Sequence, residues 1–197
     1  LPVEYSLLDP SAFSISETRK ALSPPFHCSA EFEVALQALA CEAGAFDIVW
    51  ATHALYAVPR EELQAALERF VFALDGAGFI AHATSNSHYL RFYRHYLNGF
   101  KDGLGTPYSS AELIGETLKG MGVDFRVKQI SYQNTALENA SEQVEGYLQR
   151  CIFDDTIGLD AMLKSSETGP YLNERLRNGI WHFDQQVMLF FLTVDNT

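Results

Sequence analysis

The stretch Phe46-Asp47-Ile48-Val49-Trp50-Ala51-Thr52-His53-Ala54-Leu55-Tyr56-Ala57-Val58-Pro59 decides how this chain is read. Its first six residues form an apolar run of the kind buried on both faces of a parallel sheet. Small and polar side chains follow, and Pro59 opens an amphipathic helix through Leu63, Leu67, Phe70, Val71 and Leu74. Gly76 and Gly78 then turn the chain into a second apolar strand, Phe79-Ile80-Ala81-His82-Ala83. Short connections between strand and helix are what a βαβ succession requires.

The same alternation extends in both directions. Upstream, Val3-Glu4-Tyr5-Ser6-Leu7-Leu8 is a short strand ending at Asp9-Pro10, and Ser11 or Ser14 caps a helix reaching Leu22. Ser23-Pro24-Pro25 breaks that helix, residues 26–31 form a weak strand, and residues 33–41 have helical spacing. Downstream, residues 89–97 and 111–121 read as helices, the second with Ser109 or Ser110 as cap and Gly120 and Gly122 as stop. An alternating strand at 125–130 precedes helical pieces at 142–151, 159–163 and 171–176, and an apolar strand at 186–194 closes the chain. The expected architecture is α/β and doubly wound, a mostly parallel Rossmann-like sheet with an antiparallel C-terminal strand and helices on both faces. Residues 1–197 read as one domain, with helical insertions at 85–122 and 134–181.

Composition narrows the function. The 197 residues are 47% apolar and 20% charged, which excludes fibrous and disordered classes. Fourteen Lys and Arg against 25 Asp and Glu leave a net charge of −11, so nucleic acid and anionic lipid are disfavoured partners. The longest uninterrupted apolar stretch, 187–192, is far short of the roughly 20 residues a bilayer requires, so no membrane association is expected. Cys28, Cys41 and Cys151 are odd in number and scattered, with no secretory segment ahead of them, and read as reduced thiols in the cytoplasm. His82, His88 and His95 lack a carboxylate pattern suited to a metal, and no Gly-x-Ser-x-Gly or HExxH motif occurs.

The candidate site residues cluster at strand ends. An acid at the tip of a parallel strand, as Asp9 is, accepts hydrogen bonds from a ribose diol in nucleotide-binding sheets; alternatively Asp9 caps the helix that follows. Thr52 and His53 sit at the carboxyl edge of the strongest strand, where open sheets bind ligands. His53 has a side chain able to accept a proton near neutral pH, or else is a half-buried histidine bonded to a backbone carbonyl. Tyr89, Phe92, Tyr93 and Tyr96 fall at offsets 0, 3, 4 and 7, one helical face that is either an aromatic box or plain core. Asp154-Asp155 and the acidic residues of 138–145 read as a solvated face, and Arg126 and Lys128 as cover for a sheet edge.

Taken in order, Leu7-Leu8-Asp9-Pro10-Ser11, the segment Phe46 through Val58, and Gly76-Ala77-Gly78-Phe79-Ile80-Ala81-His82-Ala83 resemble the class I S-adenosylmethionine-dependent methyltransferases. Within them the chain looks most like the histamine N-methyltransferase branch, through Asp9-Pro10-Ser11, Leu55-Tyr56-Ala57-Val58, Tyr108-Ser109-Ser110-Ala111-Glu112-Leu113 and a last strand entered through Phe183-Asp184-Gln185. The resemblance implies S-adenosyl-L-methionine as cofactor and a small aromatic amine as methyl acceptor, with oligomeric state left open. It implies that Asp9, with Ser11 and Ser14 beside it, holds the ribose. By the same likeness Thr52 and His53 flank the sulfonium, His53 touches the acceptor, and Tyr89, Tyr93 and Gln185 contact the acceptor. Gly105 stands where the branch has a thiol and His53 where it has an amide, which removes the specific basis for histamine itself. The resemblance also places a strand and a glycine-rich loop ahead of Asp9, so a βα unit of about 30 residues, plus its leading helix, is expected before Leu1.

Three other functions fit parts of the pattern. An O- or C-methyltransferase would use His53 to deprotonate a hydroxyl or activated carbon. A non-catalytic domain would pair an exposed sheet edge with another chain. A nicotinamide dehydrogenase would also use Asp9, but would leave the segment after Ala51 without a role.

Overall fold

The computed structural model describes residues 1–193, so Val194, expected in the last strand, lies outside the described residues. Among the described residues seven strands and seven α-helices follow in the order β1 Val3–Leu8, α1 Ala12–Ala21, β2 Phe26–Phe32, β3 Phe46–Thr52, α2 Leu63–Phe72, β4 Leu74–Ala83, α3 His88–Phe100, α4 Ala111–Gly120, β5 Phe125–Leu137, α5 Ser141–Ile152, α6 Leu159–Lys164, α7 Thr168–Asn173, β6 Leu176–Arg177 and β7 Ile180–Thr193. The arrangement is the α/β, Rossmann-like class expected. Pairing is mixed: β1 with β2 and β3 with β4 are parallel, whereas β7 lies antiparallel between β4 and β5 and also pairs with β6.

The principal departure concerns the decisive stretch itself. β3 is not buried on both faces, because α2 and α4 cover the face of Ala51, Ile80 and Phe190, whereas Ile48 and Trp50 point to the other, where Phe191 is exposed as well. The sheet is also divided, with β1 and β2 as one piece and β3, β4, β7 and β5, with β6, as the other. β3 is thus an edge strand, with Ile48 62% and Trp50 49% exposed. Side chains span the division. The Trp50 indole N–H donates to the Tyr5 hydroxyl at 2.9 Å, with the two rings 5.5 Å apart, and Phe32 meets Phe46 edge-on at 6.5 Å.

Gly76 and Gly78 are a second correction, since both lie inside β4 and not in a turn before it. A Cβ at Gly76 would come within 2.6 Å of the Asp47 carbonyl oxygen, and one at Gly78 would meet Leu74, Leu192 and Phe70. These glycines let β3 and α2 approach β4 closely, and the β3–β4 register shifts between Phe46 and Ile48. Residues 33–41 form only a short 3-10 turn, Leu36–Ala38, because a segment of that length cannot sustain a helix without a buried face, and of its leucines Leu39 alone is buried. β5 continues through Leu137, so the segment expected to begin an insertion at 134 starts as strand. The last strand likewise begins at Ile180, before the expected residue 186.

Two apolar cores result. One lies between the sheet and α2 and α4, around Leu67, Phe70, Ile80, Ile114, Leu118 and Phe190. The other joins α3 to α5, α6 and α7 over the first half of β7, around Phe92, Leu148, Met162, Leu172 and Phe183. Tyr56, Ala83 and Leu90 lie in a third, small cluster at the carboxyl end of the sheet. Because Ile80 is fully buried and Ile48 is not, Ile80→Ala should cost about 2–5 kcal/mol in urea unfolding. Ile48→Lys should stay within about 0.5 kcal/mol, and a large loss there would contradict an open β3 edge.

Candidate active site

The carboxyl end of β3 delivers the chain into a sharp turn. His53 takes φ +55°, a left-handed conformation, and its N–H donates to the Ala81 carbonyl at 2.9 Å, so β4 holds the turn from one side. The His53 ring reaches solvent, and its Nδ1 lies 2.5 Å from the Tyr56 hydroxyl. Tyr56 is 3% exposed, and its hydroxyl oxygen also accepts from the Ala83 N–H at 3.3 Å. Partial burial lowers the His53 pKa below the usual imidazole value and keeps the ring neutral near pH 7. Burial raises that of Tyr56, which stays protonated.

Tyr56 is the hub of an aromatic cluster that sequence reading quoted but gave no role. Its ring lies 4.1 Å from His82, 4.7 Å from Tyr89 and 5.4 Å from Tyr108. Tyr93 stacks on Tyr108 at 3.5 Å with a 2° interplanar angle. The aromatic stripe of α3 therefore serves two purposes. Phe92 and Tyr96 are core, while Tyr89 and Tyr93 are only partly buried and face this cluster.

His82, dismissed as a metal ligand on spacing, is fully buried in β4. Its Nε2 lies 2.9 Å from the Ser109 carbonyl, so that nitrogen carries the proton and the buried Nδ1 is left with no partner. Burial, partly opposed by the Ser109 bond, pushes its pKa down to about 4. Glu112 ties the neighbouring loop: its carboxylate accepts from the Ser85 N–H at 3.0 Å and the Ser85 hydroxyl at 3.0 Å. Burial pushes that carboxyl up, but hydrogen bonds from its own N–H, Ser110 and Ser85 outweigh it and hold the pKa low.

The other sequence candidates fall elsewhere. Asp9 follows β1, and its Oδ1 accepts from the Ser11 N–H at 2.8 Å, while the Ser11 hydroxyl caps α1 by accepting from the Ser14 N–H at 3.3 Å. Asp9 thus closes the turn ahead of α1 with one carboxylate oxygen, and the N-cap of the helix is Ser11. Thr52 is exposed at the end of β3. Gln185 belongs to a second polar group: it is 5% exposed, accepts from the Ser87 hydroxyl through Oε1 and donates through Nε2 to the Tyr147 hydroxyl at 2.7 Å. A shallow groove lined by Asn86, Tyr132, Gln133, Asp184 and Gln186 adjoins it. His88 packs beside the second group, its ring 5.7 Å from that of Tyr147; it is 2% exposed, with Nδ1 2.9 Å from the Tyr171 hydroxyl. Burial and the nearby Arg175 and Arg91 push its pKa down to about 3.

No protein-family model matches the chain, and no curated protein sequence matches it. Solved structures do. The chain superposes on a protein of Bacillus halodurans C-125 described as a candidate methyltransferase with a TM-score of 0.64 at 11% identity, covering 97% of this chain and 83% of that one. A protein of Galdieria sulphuraria described as a candidate sarcosine dimethylglycine methyltransferase gives 0.53 at 12% identity, covering 96% and 69%. The mycolic acid cyclopropane synthase CmaA1, solved with SAH and CTAB, gives 0.51 at 14% identity, covering 98% and 79%. The fold is that of the Rossmann-like methyltransferases, whereas the finer likeness to the histamine branch draws no support from these structures.

The buried histidines have a measurable consequence. His82 and His88 have folded-state pKa values near 4 and 3, below the unfolded value near 6.5. Between those values the unfolded chain binds protons that the folded chain does not, so stability is intact above about pH 6.5 and falls as the pH drops toward 4. Urea midpoints measured across that range should decline, and His88→Phe should flatten the slope.

Proposed function

We propose that this chain is a S-adenosyl-L-methionine-dependent methyltransferase acting on a small aromatic acceptor, an aromatic amine by the sequence resemblance. The observation that carries the reading is the His53–Tyr56 pair: a neutral imidazole fixed at the carboxyl end of β3, on a methyltransferase-type sheet, beside a wall of tyrosines. Three unpaired cysteines and the lack, among the described residues, of any helix long and apolar enough to cross a membrane are compatible with a cytoplasmic enzyme.

The donor set suits the cofactor at two points. Asp9 uses one carboxylate oxygen in its own turn and has a second that would accept from a ribose hydroxyl, and Thr52 with the turn at His53 would border the sulfonium side. Bound there, S-adenosylmethionine supplies an activated methyl group. The chain's own task is to align a neutral nucleophile and keep water away. His53 is suited to hold the acceptor's X–H. In the tautomer that carries its proton on Nδ1, facing the Tyr56 oxygen, the ring has an Nε2 lone pair free to take the proton that an amine releases. Tyr56 is a positioning residue, since it fixes the plane of that ring while Ala83 fixes Tyr56.

Calorimetry and product analysis test the reading. In the complete protein, with the βα unit expected ahead of Leu1, Asp9→Ala should weaken S-adenosylhomocysteine binding by about 1–3 kcal/mol, the value of one hydrogen bond to a charged group. An unchanged affinity removes Asp9 from the site. Transfer of labelled methyl to arylamines should fall roughly 10-fold or more in Tyr56→Phe, with cofactor affinity preserved. Methylation of a hydroxyl or carbon alone would replace the amine with the alternative acceptors on the same scaffold.

A further inference from the structure

Tyr108 differs from its aromatic neighbours in where it comes from. Tyr89 and Tyr93 stand on α3, and Tyr56 is pinned to the end of β4 by the Ala83 N–H. Tyr108 comes from the connection between α3 and α4, in which residues 101–107 are all exposed. That connection contains three residues of positive φ in a short span: Asp102 at 52°, Gly103 at 73° and Gly105 at 120°. Its backbone is tied at Leu104, whose N–H donates to the Lys101 carbonyl, and next at Ser109, whose N–H donates to the Tyr56 carbonyl at 3.3 Å. Between these points no backbone hydrogen bond holds it among the described residues.

An exposed, lightly tied loop nevertheless places one ring face to face with Tyr93 at 3.5 Å, and within 5.5 Å of Tyr89 and 5.4 Å of Tyr56. The far end of that ring meets a defined polar partner, the Cys151 carbonyl, which accepts from the Tyr108 hydroxyl at 3.2 Å. The slot is therefore flat, walled by rings on rigid elements, and has a hydrogen-bond acceptor at one end. Its chemistry matches a planar aromatic ring bearing a donor group, and Tyr108 is one.

We infer that this slot is a ring-binding subsite and that Tyr108 is its resident occupant, displaced when a phenol or arylamine enters. The inference rests on the proposed function for its purpose but not for its test. An entering ring restores the stack on Tyr93 and the bond to the Cys151 carbonyl, so the exchange balances contact for contact, and only residues 105–108 swing outward, between the tie at Leu104 and Ser109, which is held also by the Val58 carbonyl and His82. Tyr108 thereby sets the specificity: flat rings with a donor exchange with it, and non-planar or donor-free molecules do not.

The full chain labelled with 3-fluorotyrosine, with the Tyr108 signal assigned through Tyr108→Phe, is titrated with 4-methylphenol and followed by fluorine NMR. The Tyr108 signal should move saturably to the position of a solvent-exposed tyrosine, while 4-methylanisole and cyclohexanol leave it in place. Tyr108→Gly should bind 4-methylphenol at least 10-fold more tightly than the natural chain, because no resident ring competes. Tyr108→Phe, which keeps the ring and loses the Cys151 bond, should fall between them. A Tyr108 signal that stays fixed while the probe saturates, or equal affinities in all three proteins, would overturn the inference. S-adenosylhomocysteine affinity is measured on the same samples and leaves the ring-exchange result standing whichever way it falls.

Discussion

The hydroxyl of Tyr56 holds the candidate site together. A phenol 3% exposed to solvent must find partners for its polar end, and it finds them in the Ala83 N–H on β4 and in His53 beyond β3. The parallel register sets Thr52 opposite Ala81, so β4 runs two residues past the end of β3, and one hydroxyl reaches both strand ends. The ring of the same residue provides the floor on which His82, Tyr89 and Tyr108 pack. Backbone register, imidazole orientation and the aromatic wall are thereby coupled through one side chain.

Much of the fold was legible because its elements are short and well punctuated. Ser11 and Ser110 cap α1 and α4, and positive-φ Gly122 follows the latter, each as local chemistry requires. The errors arose where tertiary contact overrides local pattern. Gly76 and Gly78 carry the same letters as a turn, but their role is to let Asp47, Leu192 and Phe70 come close, and no periodicity reveals that. The apolar run of β3 signals burial on both faces, yet α2 and α4 cover only the face of Val49 and Ala51, and the face of Ile48 and Trp50 stays open.

The site was legible in part. His53 stood out by its place after an apolar strand, and Tyr89 and Tyr93 by their helical spacing. Tyr56, Tyr108 and His82 did not, because their importance lies in stacking between elements distant in sequence. Gln185 shows the converse. A polar residue on an apolar strand suggests a ligand, but here both ends of its amide are engaged by Ser87 and Tyr147. A buried amide with complete internal partners fixes the start of α3 over β7 as firmly as it would fix a substrate.

The three cysteines are a graded scale of accessibility: Cys28 exposed, Cys41 intermediate and Cys151 buried. Cys151 lies on α5 in the α3–α5 core, its thiol pushed up to about 12 by burial and its carbonyl at the end of the Tyr108 slot. A thiol so placed is silent to alkylating reagents until α5 parts from α3. The molecule thus contains its own clock for the opening of its helical half, read by the lag between modification of the first cysteine and of the last.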